Sequence, residues 1–136
     1  MKTDIKHLAA YIAAAIGADE EYDEAEKISI EEIADACECE YPTLVSEVEK
    51  ALDEIENKSE QELIEYLCAH SEKVEDEEIE MIFLSALQIL TVDGVLTIDE
   101  VNNLLAIAST LGISDEVAIL HLVELVKEDS ELEVEF

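Results

Sequence analysis

The fold class is decided by residues 79–112, which read IEMIFLSALQILTVDGVLTIDEVNNLLAIASTLG. Apolar residues recur at spacings of three and four over 79–90 and again over 104–111, which is the period of helices with one apolar side. An Asp-Gly pair and a Thr-x-x-Glu cap lie between the two runs, and Gly112 is placed to end the second helix. The stretch therefore predicts two helices joined by a short acidic loop.

Helical periodicity continues through the rest of the chain. Only three glycines and one proline interrupt the 136 residues, and this length is usual for a single domain. We therefore expect one all-α domain over residues 1–136, with seven helices. Helix starts are expected at Thr3, Asp23–Glu26, Pro42, Ser59–Glu62, Thr97–Glu100 and Ser114.

The apolar residues of the first and last helices each predict one buried side. In the first helix the predicted stripe consists of Ile5, Leu8, Ala9, Ile12 and Ile16. In the last helix it consists of Val117, Leu120, Val123 and Val126. Both patterns are typical of amphipathic helices that pack on a core by one side and face water with the other.

The chain also aligns with itself when it is shifted by 74 residues. Ile5 then falls on Ile79, and the loop acid, the loop hydrophobe and the capping Glu stay in register without a gap. Amphipathic stripes alone can be brought into phase by chance, but the loop residues are harder to match. The alignment predicts an internal duplication, with halves at about 4–57 and 78–129 and Ser59–His70 as the joining helix.

The charge of the chain is strongly one-sided. Thirty-seven Asp and Glu residues against seven Lys and Arg give a formal net charge of −30. A charge of this size excludes direct binding of nucleic-acid phosphates as a default role, and it favours cations or basic protein surfaces as partners. The alternative is that the acidic residues only keep the protein soluble. Disorder is not expected, because 49% of the residues are hydrophobic.

Each half carries a loop with an Asp and a Glu seven residues apart. Asp19 and Asp93 follow helix C-termini, where the dipole is already negative, so further carboxylates are unfavourable there unless a cation is held. Ca²⁺ and Mg²⁺ prefer carboxylate and carbonyl oxygens as ligands. We therefore take Asp19, Glu26, Asp93 and Glu100 as a candidate metal site shared by the two halves. The structural alternative is that Glu26 and Glu100 only close capping boxes and that Asp93-Gly94 is an ordinary turn.

The second half resembles a known family over residues 79–126. The resemblance is carried by Asp93-Gly94, by Glu100 seven positions after the Asp, and by Leu111-Gly112-Ile113-Ser114 after the next helix. This pattern is similar to the tellurite-resistance TerB-like family, although the first half has Glu20 in place of the glycine. The resemblance implies an acidic, all-helical bacterial protein of the stress response. It also implies work through partners near the inner membrane, a capacity for cation binding, and no established catalytic activity.

Cysteine and histidine residues offer a competing metal site. Cys37 and Cys39, with Cys68 and His70, are ligand types that zinc accepts. In the 74-residue alignment, however, the first two fall on hydrophobic residues of the second half, so we expect them to be small core residues.

An odd number of cysteines without a secretory leader predicts a reducing, cytoplasmic location. Because no apolar run is long enough to span a bilayer, membrane insertion is not expected.

Two features bear on function without settling it. Neither a nucleophile–base pair nor a glycine-rich phosphate loop can be assembled, so we do not expect an enzyme. Residues 131–136 alternate acidic and apolar side chains, which predicts a loose tail or, alternatively, a docking strand.

The leading hypothesis is an acidic binding module that works through basic or membrane-associated protein partners and holds a divalent cation weakly. The alternative is an acidic nucleic-acid mimic that occupies a basic protein groove.

Overall fold

The computed structural model describes the backbone of residues 2–19, 24–92, 95–128 and 133–134, and the side chains of residues 2–17, 24–92 and 96–128. Seven α-helices and one short 3₁₀ helix, Asp76–Glu78, form this part of the chain. The α-helices are α1 (Ile5–Asp19), α2 (Glu24–Ala36), α3 (Tyr41–Ile55), α4 (Glu60–Ser71), α5 (Ile79–Leu90), α6 (Ile98–Thr110) and α7 (Asp115–Glu128). The predicted all-α class and the predicted number of helices are confirmed.

Helix α1 lies at the centre of the fold. Every residue from Leu8 to Ile16 is buried, because α3 and α5 pack against the helix and α4 and α6 also contact it. The prediction of a single apolar side is therefore wrong for α1. Its five alanines between residues 9 and 15 leave room for neighbours on every side, so the whole circumference is covered.

Small residues set the distance between α1 and α3. Ala13 packs in one cluster with Ala51 and Ile55 of α3. A Cβ atom added at Gly17 would lie 3.4 Å from Ile55 Cδ1, so α3 lies in van der Waals range of α1 at this position. Of all its neighbours, α1 packs most extensively against α3.

The helices of the two halves begin at matching positions. Helices α1, α2 and α3 begin at residues 5, 24 and 41, and α5, α6 and α7 begin at 79, 98 and 115, a displacement of 74 residues in each case. Helices α2 and α6 also end alike, since Glu38 and Gly112 have positive φ angles of 57° and 77°. The next N–H in each loop donates to the carbonyl of Ala34 or Ala108 at 2.9 Å, which is the Schellman ending.

Most of the predicted helix starts are found. Capping boxes are present at Ser59–Glu62 and Thr97–Glu100. Pro42 lies in the first turn of α3, and the Ser114 hydroxyl accepts from the Val117 N–H at 3.4 Å. The start predicted at Asp23–Glu26 lies partly outside the described residues.

The predicted cap at Thr3 is wrong. Its hydroxyl donates to Glu78 Oε1 at 2.6 Å, while Asp4 accepts from the Lys6 N–H at 3.0 Å. An ionised carboxylate is the stronger acceptor, and Glu78 also accepts the N–H groups of Lys2 and Thr3. The N-terminal residues are therefore bound to the start of α5.

The third helices of the two halves pack differently. Helix α3 lies along α1, whereas α7 packs chiefly against α6. The stripe predicted for α7 is wrong, because Val117, Leu120 and Val123 are 41–57% exposed while Ala118 and Leu122 are buried. Helix α7 carries apolar residues around its circumference, and the side that packs on the core is the one that carries the small Ala118.

Residues 133–134 are the part of the tail that the structure describes. Strand β2 (Glu133–Val134) pairs in parallel with strand β1 (Val95–Leu96). This pairing is within the chain, and the choice between a loose tail and a docking strand for residues 131–136 stays a prediction, because the other tail residues lie outside the described ones. None of the helices described here combines the length and the apolar character needed to cross a membrane.

Candidate functional site

The four carboxylates proposed as metal ligands are only partly described by the structure. Glu26 and Glu100 are the third residues of α2 and α6, and Glu26 is fully buried while Glu100 is nearly so. Asp93 and the side chain of Asp19 lie outside the described residues. The structure therefore places two of the four at equivalent helix starts, and their convergence with the other two stays a prediction.

Glu100 has a structural role. Its Oε1 atom accepts from the Thr97 N–H at 3.2 Å and from the Thr97 hydroxyl at 3.1 Å. The Thr97 hydroxyl oxygen in turn accepts from the Glu100 N–H at 3.2 Å. The capping box expected here is thus confirmed, and it fixes the carboxylate of Glu100 at the start of α6.

No group of three or more His, Cys, Asp or Glu side chains is placed to hold a metal ion within the residues that the structure describes. The three cysteines are free thiols with different surroundings. Cys37 is buried in the core as predicted, and burial raises the pKa of its thiol. Cys39 is half-buried against the same core, and Cys68 is exposed.

A histidine pair joins α1 to α4. The Nδ1 atoms of His7 and His70 lie 2.7 Å apart, so one ring donates and the other accepts. The Tyr66 ring packs edge-on against His70 with centroids 4.6 Å apart. Burial lowers the pKa of His7 and of His70, and the positive charges of Lys6 and, for His70, of His7 lower it further. Protonation of both rings would therefore break the contact.

A groove runs along the outer side of α5, and we call it the α5 groove. It consists of two adjoining depressions of about 580 and 420 Å³, which share Glu80, Leu84 and Gln88. The larger one lies between α5 and α7, and the smaller one between α5 and α2. Its apolar residues are Ile33, Ala36, Cys37, Met81, Leu84, Leu87 and Leu125, and its acidic residues are Glu32, Glu77, Glu80, Glu124 and Glu128.

The residues of α5 that line the groove are larger than the α1 residues they match in the 74-residue alignment. In the 74-residue register, Ala13 and Gly17 of α1 correspond to Leu87 and Thr91 of α5, which line the groove. Helix α3 lies against the small pair on α1, whereas a depression lies between the larger pair on α5 and the side chains of α7. Sequence reasoning missed the groove, although the change from small to large residues at matched positions was visible in the alignment.

Helix α7 also exposes apolar side chains away from the core. Val117, Ile119, Leu120 and Val123 are each more than 40% exposed on a chain of net charge −30. Exposed apolar residues grouped on one element commonly mark a protein contact. The matching positions on α3 are largely polar, because Thr43, Ser46 and Glu49 stand where Val117, Leu120 and Val123 stand on α7, and Val45, which matches Ile119, is half-buried.

Neither a family model, nor a curated protein, nor a solved structure matches this chain.

Proposed function

We propose that the chain is a non-catalytic acidic binding module that works through basic protein partners. The observation that carries this proposal is the group of exposed apolar side chains on α7 within a strongly acidic chain. Acidic residues attract and orient a basic partner, while desolvated apolar side chains provide most of the binding energy. A merely solubilising surface would have no use for four exposed branched residues on one helix.

An internal duplication is part of the same proposal. It is supported by the common displacement of helix starts and by the matching left-handed residues Glu38 and Gly112. Helix α3 packs its apolar side extensively on α1, whereas α7 packs chiefly on α6 and leaves apolar side chains exposed. In this proposal the first half stabilises the fold and the second half provides the binding surface.

A weak Ca²⁺ or Mg²⁺ site at the two loops is a second part of the proposal. It is supported by the burial of Glu26 and Glu100 at equivalent helix starts, next to loops that each carry an Asp. The resemblance to the TerB-like family adds a role in the bacterial stress response, tellurite resistance included, and a cytoplasmic location near the inner membrane. The cation would stabilise the conformation of the acidic loops and reduce the repulsion between their carboxylates.

Calorimetric titration with Ca²⁺ and Mg²⁺ tests the cation part. We expect binding at millimolar metal and a rise in melting temperature, both lost in the double variant Asp19→Asn/Asp93→Asn. The double variant Asp53→Asn/Asp115→Asn removes the same charge elsewhere on the chain and should retain them. Absence of metal binding by the parent chain would contradict this part alone.

Capture of purified basic proteins on the immobilised chain tests the partner part. Salt screens charge contacts but does not weaken apolar contacts, so retention by the module should persist in part at moderate salt. Failure to retain any basic protein even at low salt would contradict the module. The alternative function, an acidic nucleic-acid mimic, predicts retention that disappears completely with salt and that nucleic acid competes away.

A further inference from the structure

We infer that the α5 groove is the docking site for a basic amphipathic helix of a partner protein. This inference rests on the proposed function, because it assigns a place and a partner class to the binding module. It commits to one part of the surface, the outer side of α5 between α2 and α7, and not to Val117, Ile119, Leu120 and Val123, which do not line this groove.

The floor of the groove is apolar and partly uncovered. Leu84 is 40% exposed at the point where the two depressions meet. Met81 lies on the α2 side, and Leu87 and Leu125 lie on the α7 side. An apolar strip of this kind accepts side chains repeated at spacings of three and four, which is how helices bind in grooves.

The rim of the groove carries a large excess of acidic side chains, and one of them, Glu77, is paired with a lysine, since its Oε1 lies 2.9 Å from Lys2 Nζ. Glu32, Glu80, Glu124 and Glu128 surround the larger depression, and Glu77 joins Glu80 at the smaller one. No lysine is among the described residues that line either depression, and the imidazole of His121 already faces Glu80 at 3.8 Å. A partner with lysine or arginine on both flanks of its apolar side complements this rim.

The length of the groove fits a helix. Its lining on the α5 side extends from Glu77 to Thr91, which is about 20 Å at the helical rise per residue. A segment of roughly four turns fills that length. On α1 the residues Ala13 and Gly17 lie against Ile55 of α3, whereas the matching Leu87 and Thr91 of α5 line an open depression that leaves space for a further helix.

Charge argues against the other occupants. A second copy would bring another −30 of charge to an acidic rim, and repulsion would oppose it. The chain's own tail carries Glu131, Glu133 and Glu135, and Glu133–Val134 pairs with Val95–Leu96 instead. The remaining occupant is a partner of opposite charge.

Fluorescence anisotropy with the full chain tests the inference. The probe is a labelled peptide of about four turns with leucines on one side and lysines elsewhere. One control peptide has the same composition in an order without an apolar side, and another has glutamate in place of lysine. We expect the amphipathic basic peptide to bind at physiological salt and both controls to bind at least tenfold more weakly, roughly the effect of losing one hot-spot contact.

Two matched variants locate the site. Leu84→Asp places a charge on the groove floor, and Ile98→Asp makes the same change at a residue of similar exposure, 43%, that does not line the groove. We expect Leu84→Asp to weaken peptide binding about tenfold or more, and Ile98→Asp to leave it nearly unchanged. Leu84→Ala, which adds no charge, should give an intermediate loss, and circular dichroism checks that each variant is folded.

The outcomes separate the inference from the proposed function. Equal effects of Leu84→Asp and Ile98→Asp, or equal binding of the ordered and reordered basic peptides, would overturn the groove as the docking site while leaving the acidic module intact. A peptide-dependent dimer in sedimentation that Leu84→Asp does not abolish would overturn it as well. Only a chain that retains no basic protein at low salt would also remove the proposed function.

Discussion

Single polar residues join parts of this molecule that are far apart in sequence. Glu78 binds the backbone of Lys2 and Thr3, and the Tyr11 hydroxyl lies between the Leu67 carbonyl and the Thr110 hydroxyl at 3.0 and 2.8 Å. Burial raises the pKa of Tyr11 to about 12, so this residue stays neutral and can donate at any physiological pH. These contacts tie α1 to α4, α5 and α6, and they give the helical core its few directional bonds.

The histidine pair predicts a pH-dependent stability. The pKa values of His7 and His70 are lowered in the folded chain, so the unfolded chain binds more protons as pH falls below about 6.5. Stability should therefore fall as pH drops from about 7.5 to 5.5. Lys6 and Lys73 add to the lowering, and Asp4 and Glu54 oppose it without reversing it.

Urea unfolding at several pH values measures this effect. His70→Asn leaves His7 without a titrating partner and should flatten the dependence. His121→Asn removes the third histidine, which lies beside Glu80 rather than in the pair, and should preserve the dependence. The same slope in the parent chain and in His70→Asn would contradict the explanation.

The capping box of α6 gives a second prediction at this scale. Thr97→Ala removes the acceptor for the Glu100 N–H and a donor to the Glu100 carboxylate, and it should lower the free energy of unfolding by about 0.5–2 kcal/mol. Thr43→Ala, at an exposed position in the first turn of α3, should change it by less than about 0.5 kcal/mol. Equal losses in urea unfolding would show that the box contributes no more than an ordinary surface threonine.

At the scale of helices, the size of a few side chains decides which pairs close. Ala13 lies fully buried between α1 and α3, in contact with Ala51 and Ile55. Ala13→Leu gives α1 the residue that α5 has at the matching position, so it should force α3 outward and cost about 1–3 kcal/mol. The melting temperature measures this, with Ala36→Leu, at the exposed end of α2, as the control. A leucine tolerated equally at both positions would contradict the role given to small residues.

Sequence patterns predicted the helices well, because the residues that start and end a helix act over short distances along the chain. Capping residues such as Ser59 and Thr97, and the left-handed Gly112, act within one turn of the helix ends they define. The packing of α1 and α7 could not be predicted in the same way, because it depends on the sizes of residues in other helices. Of the candidate sites, the sequence predicted only the positions of Glu26 and Glu100 at helix starts. The α5 groove could not be predicted, because it arises from tertiary packing.

At the scale of the whole molecule, repulsion among carboxylates opposes the compact state. A net charge of −30 on 136 residues should make stability depend strongly on salt. The screening length falls from about 30 Å at 0.01 M to about 3 Å at 1 M, so the melting temperature should rise over this range. Choline chloride should act nearly as well as sodium chloride if screening is the cause, and a melting temperature independent of either salt would contradict this explanation.

The central claim is that this acidic chain binds basic partners through a defined apolar groove and not through its charge alone. Nuclear magnetic resonance of the isotope-labelled full chain, titrated with the unlabelled basic amphipathic peptide, tests it most directly. We predict shifts concentrated on α5, on the facing sides of α2 and α7, and around Leu84 at the centre. Shifts spread evenly over exposed glutamates on every helix, with Leu84 unaffected, would contradict the claim.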